Sequence, residues 1–352
     1  MGGSVSRRGL ARARARWGFA ADEIELYGLS TSDLAAPEHL SEKVWVYIRT
    51  QLNENRWRPV LDNKWIFANC GQSIGLPVPE PLGLFHPTFG RSTLDGRLTS
   101  VDDVIALIER QPDGAVLKPV RGAIGNGVVV VTGVERGPNG PELRTVDGRS
   151  LCVEDLDALL NSQHRSMRGY LLEERLLQHP WLTARTGGAL SNVRIVTFVP
   201  DRDEPFIQAA VVRFGRQGKP KDSWDGGALA CPVDLTDGRL GPGRKKPVYD
   251  ERWWSVHPDS GETLAGEQLP YWDAAVDPAV EAARRVPGSR VVGWDLFLSH
   301  SGPRLIEGNV AWHSSMIQLL CGGFLANGMA DAWQEAGVSL PDGSRRWMRR
   351  HT

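Results

Sequence analysis

Cysteine is scarce in this 352-residue chain: Cys70, Cys152, Cys231 and Cys321 lie far apart and form no C-x-x-C pair. That excludes a zinc knuckle and a disulfide framework, and leaves buried, unreactive thiols as the expectation. Net charge is missing too, with 41 Lys plus Arg against 42 Asp plus Glu. A chain-wide field for nucleic acid or a membrane surface is therefore excluded. No run approaches the roughly 18 to 20 apolar residues of a membrane span; the longest, such as Val128 to Val131, are strand-sized. Arg7, Arg8, Arg12, Arg14 and Arg16 are not followed by the apolar core of about 7 to 15 residues that a signal peptide needs. These shortages predict a cytoplasmic protein with no nucleic-acid or membrane partner. No internal repeat of about 20 to 50 residues is visible, so a solenoid is excluded.

Tryptophan, by contrast, is abundant, at 13 residues. Most are expected to fill cores, with one or two left to stack on a planar ligand. Helical periodicity marks 40–58 and 63–74, the second ending at Gly75 before Pro77, Pro79 and Pro81 force an extended run. A helix over 101–110 starts at Ser100, with Asp102 and Asp103 in its first turn. Strands are predicted over 115–118, 127–132, 143–146, 170–174, 193–199, 206–214, 228–233, 291–299 and 304–307, and helices over 153–160, 274–286 and 315–337. Strands mixed with separate helices give an α+β class rather than an alternating parallel sheet. The Arg-rich start reads as a solvated helix face, a partner-binding arm or a transit segment. Arg345, Arg346, Arg349 and Arg350 read as a frayed surface end.

Two segments carry chemistry. In Val116-Leu117-Lys118-Pro119-Val120-Arg121-Gly122-Ala123-Ile124-Gly125-Asn126-Gly127, a lysine closes an apolar strand and three glycines follow within six residues. Such a loop can bring backbone N–H groups and an ammonium against phosphate oxygens, or be a plain tight turn. It is neither a Walker loop nor a Rossmann fingerprint, because a strand follows it. In the second segment, Asp295 and Glu307 flank a Gly302-Pro303 turn, and Asn309 shares a face with Glu307. Two carboxylates and an amide oxygen suit magnesium rather than zinc; the alternative is two acids at solvated strand ends.

Together these segments resemble the ATP-grasp superfamily, and the chain looks most like its sugar-transfer-associated branch over about residues 60 to 315. Asn63-Lys64 and Gly75-Leu76-Pro77-Val78-Pro79 are similar to the family's lysine-bearing helix and the extended run after it. The resemblance implies an ATP-grasp fold of two α/β lobes with the nucleotide between them. Its divisions would be a helical region over 1–60, a segment over 61–100, a first lobe with a Gly-rich lid over 101–174, a second lobe over 175–340 and a basic tail over 341–352. Lys64 and Lys118 would grip the nucleotide phosphates. Arg121, Gly122, Gly125, Asn126 and Gly127 would form the lid, and Glu173, Glu174, Arg175 and Leu176 the hinge that binds adenine. A carboxylate that commonly holds the ribose is replaced here by Gln178-His179-Pro180-Trp181, which leaves His179 as the candidate. Arg194 would brace the transferring group, and Asp295, Glu307 and Asn309 would hold Mg2+. The stretch Lys219-Pro220-Lys221-Asp222-Ser223-Trp224-Asp225-Gly226-Gly227 resembles an acceptor loop, with Ser223 in place of asparagine.

The implied activity is an ATP- and Mg-dependent carboxylate–amine ligase, with a small-molecule carboxylate and nucleophile as substrates and oligomer formation left open. One alternative is a kinase with Asp222 or His313 as base. The other is an ATP-binding scaffold without turnover.

Overall fold

A computed structural model describes residues 6–94, 96–122, 125–138, 140–162, 169–201, 204–216 and 224–352. The N-terminal part is helical: α1 (Arg7–Trp17), α2 (Ala21–Tyr27), α3 (Glu42–Leu52), α4 (Pro59–Asp62) and α5 (Lys64–Ser73). Asn63 starts α5 by accepting hydrogen bonds from the backbone N–H of Trp65 and Ile66, which fixes Lys64 at its first position.

The first sheet contains β1 (Pro81–Phe85), β2 (Arg91–Ser92), β3 (Ala115–Pro119), β4 (Val129–Gly137), β5 (Gly140–Thr145), β6 (Ser150–Leu151) and β7 (Tyr170–Glu174). It runs in the order β2-β1-β7-β3-β4-β5-β6 with antiparallel pairing throughout. Helices α6 (Val101–Glu109) and α7 (Val153–Asn161) cover one face, where Leu117, Val129, Val131, Tyr170 and Leu172 are buried. Alternation then sends Lys118 and Glu173 to the opposite face.

The second sheet is built from β8 (Asn192–Phe198), β9 (Phe206–Phe214), β10 (Leu229–Pro232), β11 (Gly243–Arg244), β12 (Trp253–Trp254), β13 (Val291–Ser299) and β14 (Gly302–Asn309). Its order is β12-β11-β10-β9-β8-β13-β14, again antiparallel. Both faces are covered, which is why these strands read as continuous apolar runs. One face meets α4, α5 and α9 (Trp272–Arg285) through Val193, Ile195, Val212, Trp294 and Leu305. The other meets α3, α10 (Ser315–Cys321) and α11 (Met329–Glu335) through Val196, Phe198, Val211 and Val291. Trp45, Trp312, Phe324 and Trp333 close this second core as an aromatic cluster with ring centroids 4.5–6.2 Å apart. Core filling is thus the role of these tryptophans. A short α8 (Pro180–Thr186) joins the two sheets.

Three expectations are corrected. The helix over 315–337 is two helices, because Gly322 and Gly328 take left-handed φ of 91° and 83°, and a Cβ on Gly323 would lie 2.4 Å from the Glu38 carbonyl oxygen. The C-terminal end is not frayed: α12 (Arg345–His351) buries Trp347 and Met348 in the second core and packs on α1. The thiols are not uniformly buried, since Cys70 is exposed. Burial pushes the Cys321 thiol up to about 12 and raises that of Cys231 as well, so only those two fit the expectation of inert groups.

The ends of the chain share one surface. Arg16 Nε donates to the Gly343 carbonyl oxygen at 2.7 Å. Arg7, Arg8, Arg12 and Arg14 of α1 and Arg345, Arg346, Arg349 and Arg350 of α12 are exposed, and among the described residues none of them is ion-paired. At about 100° per residue, the four on each helix span one face, opposite the side that packs inward.

Candidate active site

Lys118 and Glu173 are diagonal neighbours on paired strands, because Lys118 faces Leu171 and Val116 faces Glu173. The ammonium and the carboxylate are in direct contact, both buried. Burial raises the Glu173 carboxyl above its ordinary value, and Glu174 adds to this, while Lys118 and Lys64 oppose it. Glu173 is therefore the counter-ion of Lys118, a role that the hinge reading did not contain. The main chain of Arg175 and Leu176 lies just past the last β3–β7 pairing, Ala115 with Glu174. Glu174 accepts from the Glu80 N–H at 3.0 Å, and Arg175 Nη1 donates to the Asp113 carbonyl oxygen at 2.9 Å.

Past β3 the chain takes left-handed φ at Gly122 (140°), Gly125 (62°) and Gly127 (74°), so glycine is required there by conformation. A Cβ on Gly127 would also meet Pro119 Cγ at 2.9 Å. Arg121 and Gly122 are exposed, Asn126 lies in the turn between Gly125 and Gly127, and Ala123 and Ile124 lie outside the described residues.

Lys64 ties this loop to the second sheet. Its Nζ donates to the Gly122 carbonyl oxygen at 2.9 Å and stands 3.4 Å from Glu307 Oε2. Its backbone N–H donates to the Val120 carbonyl oxygen at 2.9 Å.

On the second sheet, register brings Asp295 directly opposite both Arg194 and Glu307, and Gly293 opposite Asn309. Asp295 accepts from Arg194 Nε at 2.5 Å and Nη2 at 2.9 Å, a bidentate pair, and from Arg213 Nη2 at 3.1 Å. Burial alone would raise the Asp295 carboxyl, but the two guanidinium groups outweigh it and hold the group at about 2. Asn309 Nδ2 donates to Asp295 Oδ2 at 3.4 Å and to Glu307 Oε1 at 3.2 Å. Arg213 belongs to this cluster and escaped sequence reasoning. Its place comes from the pairing of Asn192 with Arg213, whose Nε also donates to Asn192 Oδ1 at 2.7 Å.

The donor set suits a hard divalent cation. Among the described residues no three His, Cys, Asp or Glu side chains gather for a metal; the set here is two carboxylates and one amide. Glu307 keeps a partly exposed carboxylate and Asn309 keeps its Oδ1, whereas Asp295 spends its oxygens on two guanidiniums and supplies charge behind them.

His179 lies at the other end of β13. Its Nδ1 accepts from the Trp181 N–H at 3.1 Å to cap α8, its backbone N–H donates to the Leu298 carbonyl oxygen, and its ring meets Tyr271 edge-on at 5.2 Å. Burial holds its imidazole below the usual histidine range. Asp222 and Ser223, with Lys219 to Lys221, lie outside the described residues.

Two antiparallel sheets joined by α8, with Lys64 touching both the loop after β3 and Glu307 of β14, are the ATP-grasp fold. Within that class the chain belongs to the sugar-transfer-associated ATP-grasp family, whose model matches residues 46–330. Solved structures similar to it include the biotin carboxylase domain of 2-oxoglutarate carboxylase from Hydrogenobacter thermophilus, at 13% identity, TM-score 0.42, over 80% of this chain and 46% of that one. VanG D-Ala:D-Ser ligase from Enterococcus faecalis is similar at 13% identity, TM-score 0.43, over 79% and 62%. D-alanine–D-alanine ligase from Helicobacter pylori is similar at 10% identity, TM-score 0.44, over 78% and 61%. The chain spans about half to two-thirds of the length of these proteins. No curated protein matches it. No helix among the described residues is long and apolar enough to cross a membrane.

Proposed function

We propose that the chain binds ATP between its two sheets and uses it to activate a carboxylate as an acyl phosphate, which an amine or similar nucleophile then attacks. The observation that supports this best is Lys64. One ammonium lies within 3.4 Å of both the Gly122 carbonyl oxygen and Glu307, so the glycine loop and the acid cluster meet around it. Lys118, Lys64 and Arg194 are then the cations around the transferring phosphoryl group, and the main chain of Arg175 and Leu176 faces the adenine edge. His179 is the side chain nearest in sequence to offer the ribose a partner.

Hydroxide-like oxygen leaves a carboxylate poorly, and phosphorylation removes that obstacle while concentrating negative charge in the transition state. Fixed cations lower such a barrier without any protein nucleophile. Magnesium held by Glu307 and Asn309, with Asp295 behind them, would supply further charge neutralisation when bound. Gly122, Gly125 and Gly127 let the loop close over the phosphates, which keeps water from the activated carboxylate.

The test is incubation with ATP, magnesium, a pool of the common amino acids and hydroxylamine. ADP and a hydroxamate are expected. A stable phosphorylated product would replace this reading by the kinase, and a complete lack of ADP would replace it by the scaffold.

A further inference from the structure

The N-terminal helix α3 reaches the site through the loop that leaves β14. Three of its side chains lie on one face, at i, i+3 and i+7, and each bonds that loop. Arg49 Nη1 donates to the Val310 carbonyl oxygen at 3.3 Å, and Trp45 Nε1 donates to the Trp312 carbonyl oxygen at 2.9 Å. Glu42 accepts from the Ser314 N–H at 3.0 Å and from its hydroxyl at 3.1 Å, and stands 3.4 Å from His313 Nδ1.

The loop so held borders the charged cluster. A Cβ on Gly293 would lie 3.0 Å from Arg194 Cδ and 3.2 Å from Trp312 Cδ1, so Trp312 and the arginine that grips Asp295 both pack against Gly293. His313 is the next residue, with a side chain 79% exposed. A carboxylate on Nδ1 fixes the ring and leaves Nε2 facing outward, the arrangement in which imidazole takes a proton. Nothing in the backbone of the loop needs an imidazole there, because the loop is already tied down by main-chain and Ser314 contacts.

Resting on the ligase reading above, we infer that His313 is the proton acceptor for the incoming amine, with Glu42 as its positioning residue. In this step the amine nitrogen attacks the carbonyl carbon of the acyl phosphate, the C–N bond forms, and the bond to the phosphate oxygen breaks. Phosphate departs with that electron pair, and the proton shed by the nitrogen passes to His313 Nε2.

The groups facing His313 are Glu42 and Arg49 of α3 and Asp225 of the turn at 224–226. The hydrogen bond to Glu42 is the main cause that raises the imidazole above its ordinary value; burial opposes it, Asp225 adds to it and Arg49 opposes it. Removing the Glu42 charge lowers the imidazole, so the basic form persists to lower pH.

Hydroxylamine separates this step from activation, because it is largely unprotonated at neutral pH and has little need of a base. With ATP, magnesium and the amino-acid pool, His313→Asn should keep the wild-type rate of hydroxamate formation and lose amide formation about a hundredfold. Glu42→Gln should retain amide formation and shift the acid limb of its pH profile to lower pH, a movement that mere loosening of the loop would not give. Equal loss of hydroxamate and amide, full retention of both, or a wild type that makes hydroxamate but no amide would overturn the role of His313. A wild type that makes no hydroxamate would overturn the ligase reading itself. Since His313 is largely exposed, the asparagine variant is expected to fold.

Discussion

On the proposed ligase activity, Lys118→Met should lower ATP-dependent ADP release with hydroxylamine as trap by about a hundred- to a thousandfold, roughly 3–4 kcal/mol of transition-state stabilisation. Methionine keeps the length and apolar stem of lysine, so the packing of β3 against β7 is preserved and only the charge is lost. The buried partner Glu173 is then left without a cation. Its carboxyl is already raised by burial, so it takes up a proton instead of staying charged in an apolar setting. The variant therefore folds, and its urea midpoint should recover further in the Lys118→Met/Glu173→Gln double variant while turnover stays low. Wild-type turnover in Lys118→Met would remove Lys118 from the phosphate grip. On the same reading the Lys118–Glu173 ion pair has to loosen when ATP binds, so Glu173→Gln alone should tighten nucleotide binding measured by calorimetry.

Asp295→Asn should be the most damaging single change to stability, at about 3–5 kcal/mol, because it strips a charged acceptor from two guanidinium groups in a buried cluster. Glu307→Gln, one strand over and 26% exposed, should cost little stability and still abolish turnover. Comparing the denaturation midpoints of the two variants at equal activity loss separates holding the arginines from holding the cation. Equal midpoints would show that the Arg194–Asp295–Arg213 cluster is not what stabilises this end of the sheet. The pH dependence has a definite sign. Asp295 is held at about 2, below its unfolded value, so its contribution is complete above the ordinary carboxylate range and is lost only as pH falls toward 2. Acid unfolding measured by tryptophan fluorescence should begin lower in the wild type than in Asp295→Asn.

Much of this was legible in the sequence for reasons of local geometry. The turn after Ser299 is His300-Ser301, with Gly302 and Pro303 already in β14; it pairs Leu296 with Leu305, and a one-residue register shift between Asp295 and Leu296, which the sequence does not announce, then sets Asp295 directly across from Glu307. Lys118 was legible because an apolar strand ends beside glycines whose left-handed φ only that residue accepts readily. Arg213 was not, because its partner Asp295 is 82 residues away and only the order β9-β8-β13 brings them together. The α3 clamp on residues 310–314 was hidden for the same reason: its bonds join positions more than 250 residues apart. Helix α12 was misread because four arginines in seven residues mimic a solvated end, while its only apolar pair, Trp347 and Met348, finds its partners in the distant second core.

The meeting of α1 and α12 carries a practical consequence. Formal charge −1 describes the sum and not its distribution. Guanidinium groups from both extremities gather on one side, uncompensated by neighbours, so the molecule is electrically lopsided. It should be retained on a sulfonate resin near neutral pH and released by a modest salt gradient, as a far more basic protein would be.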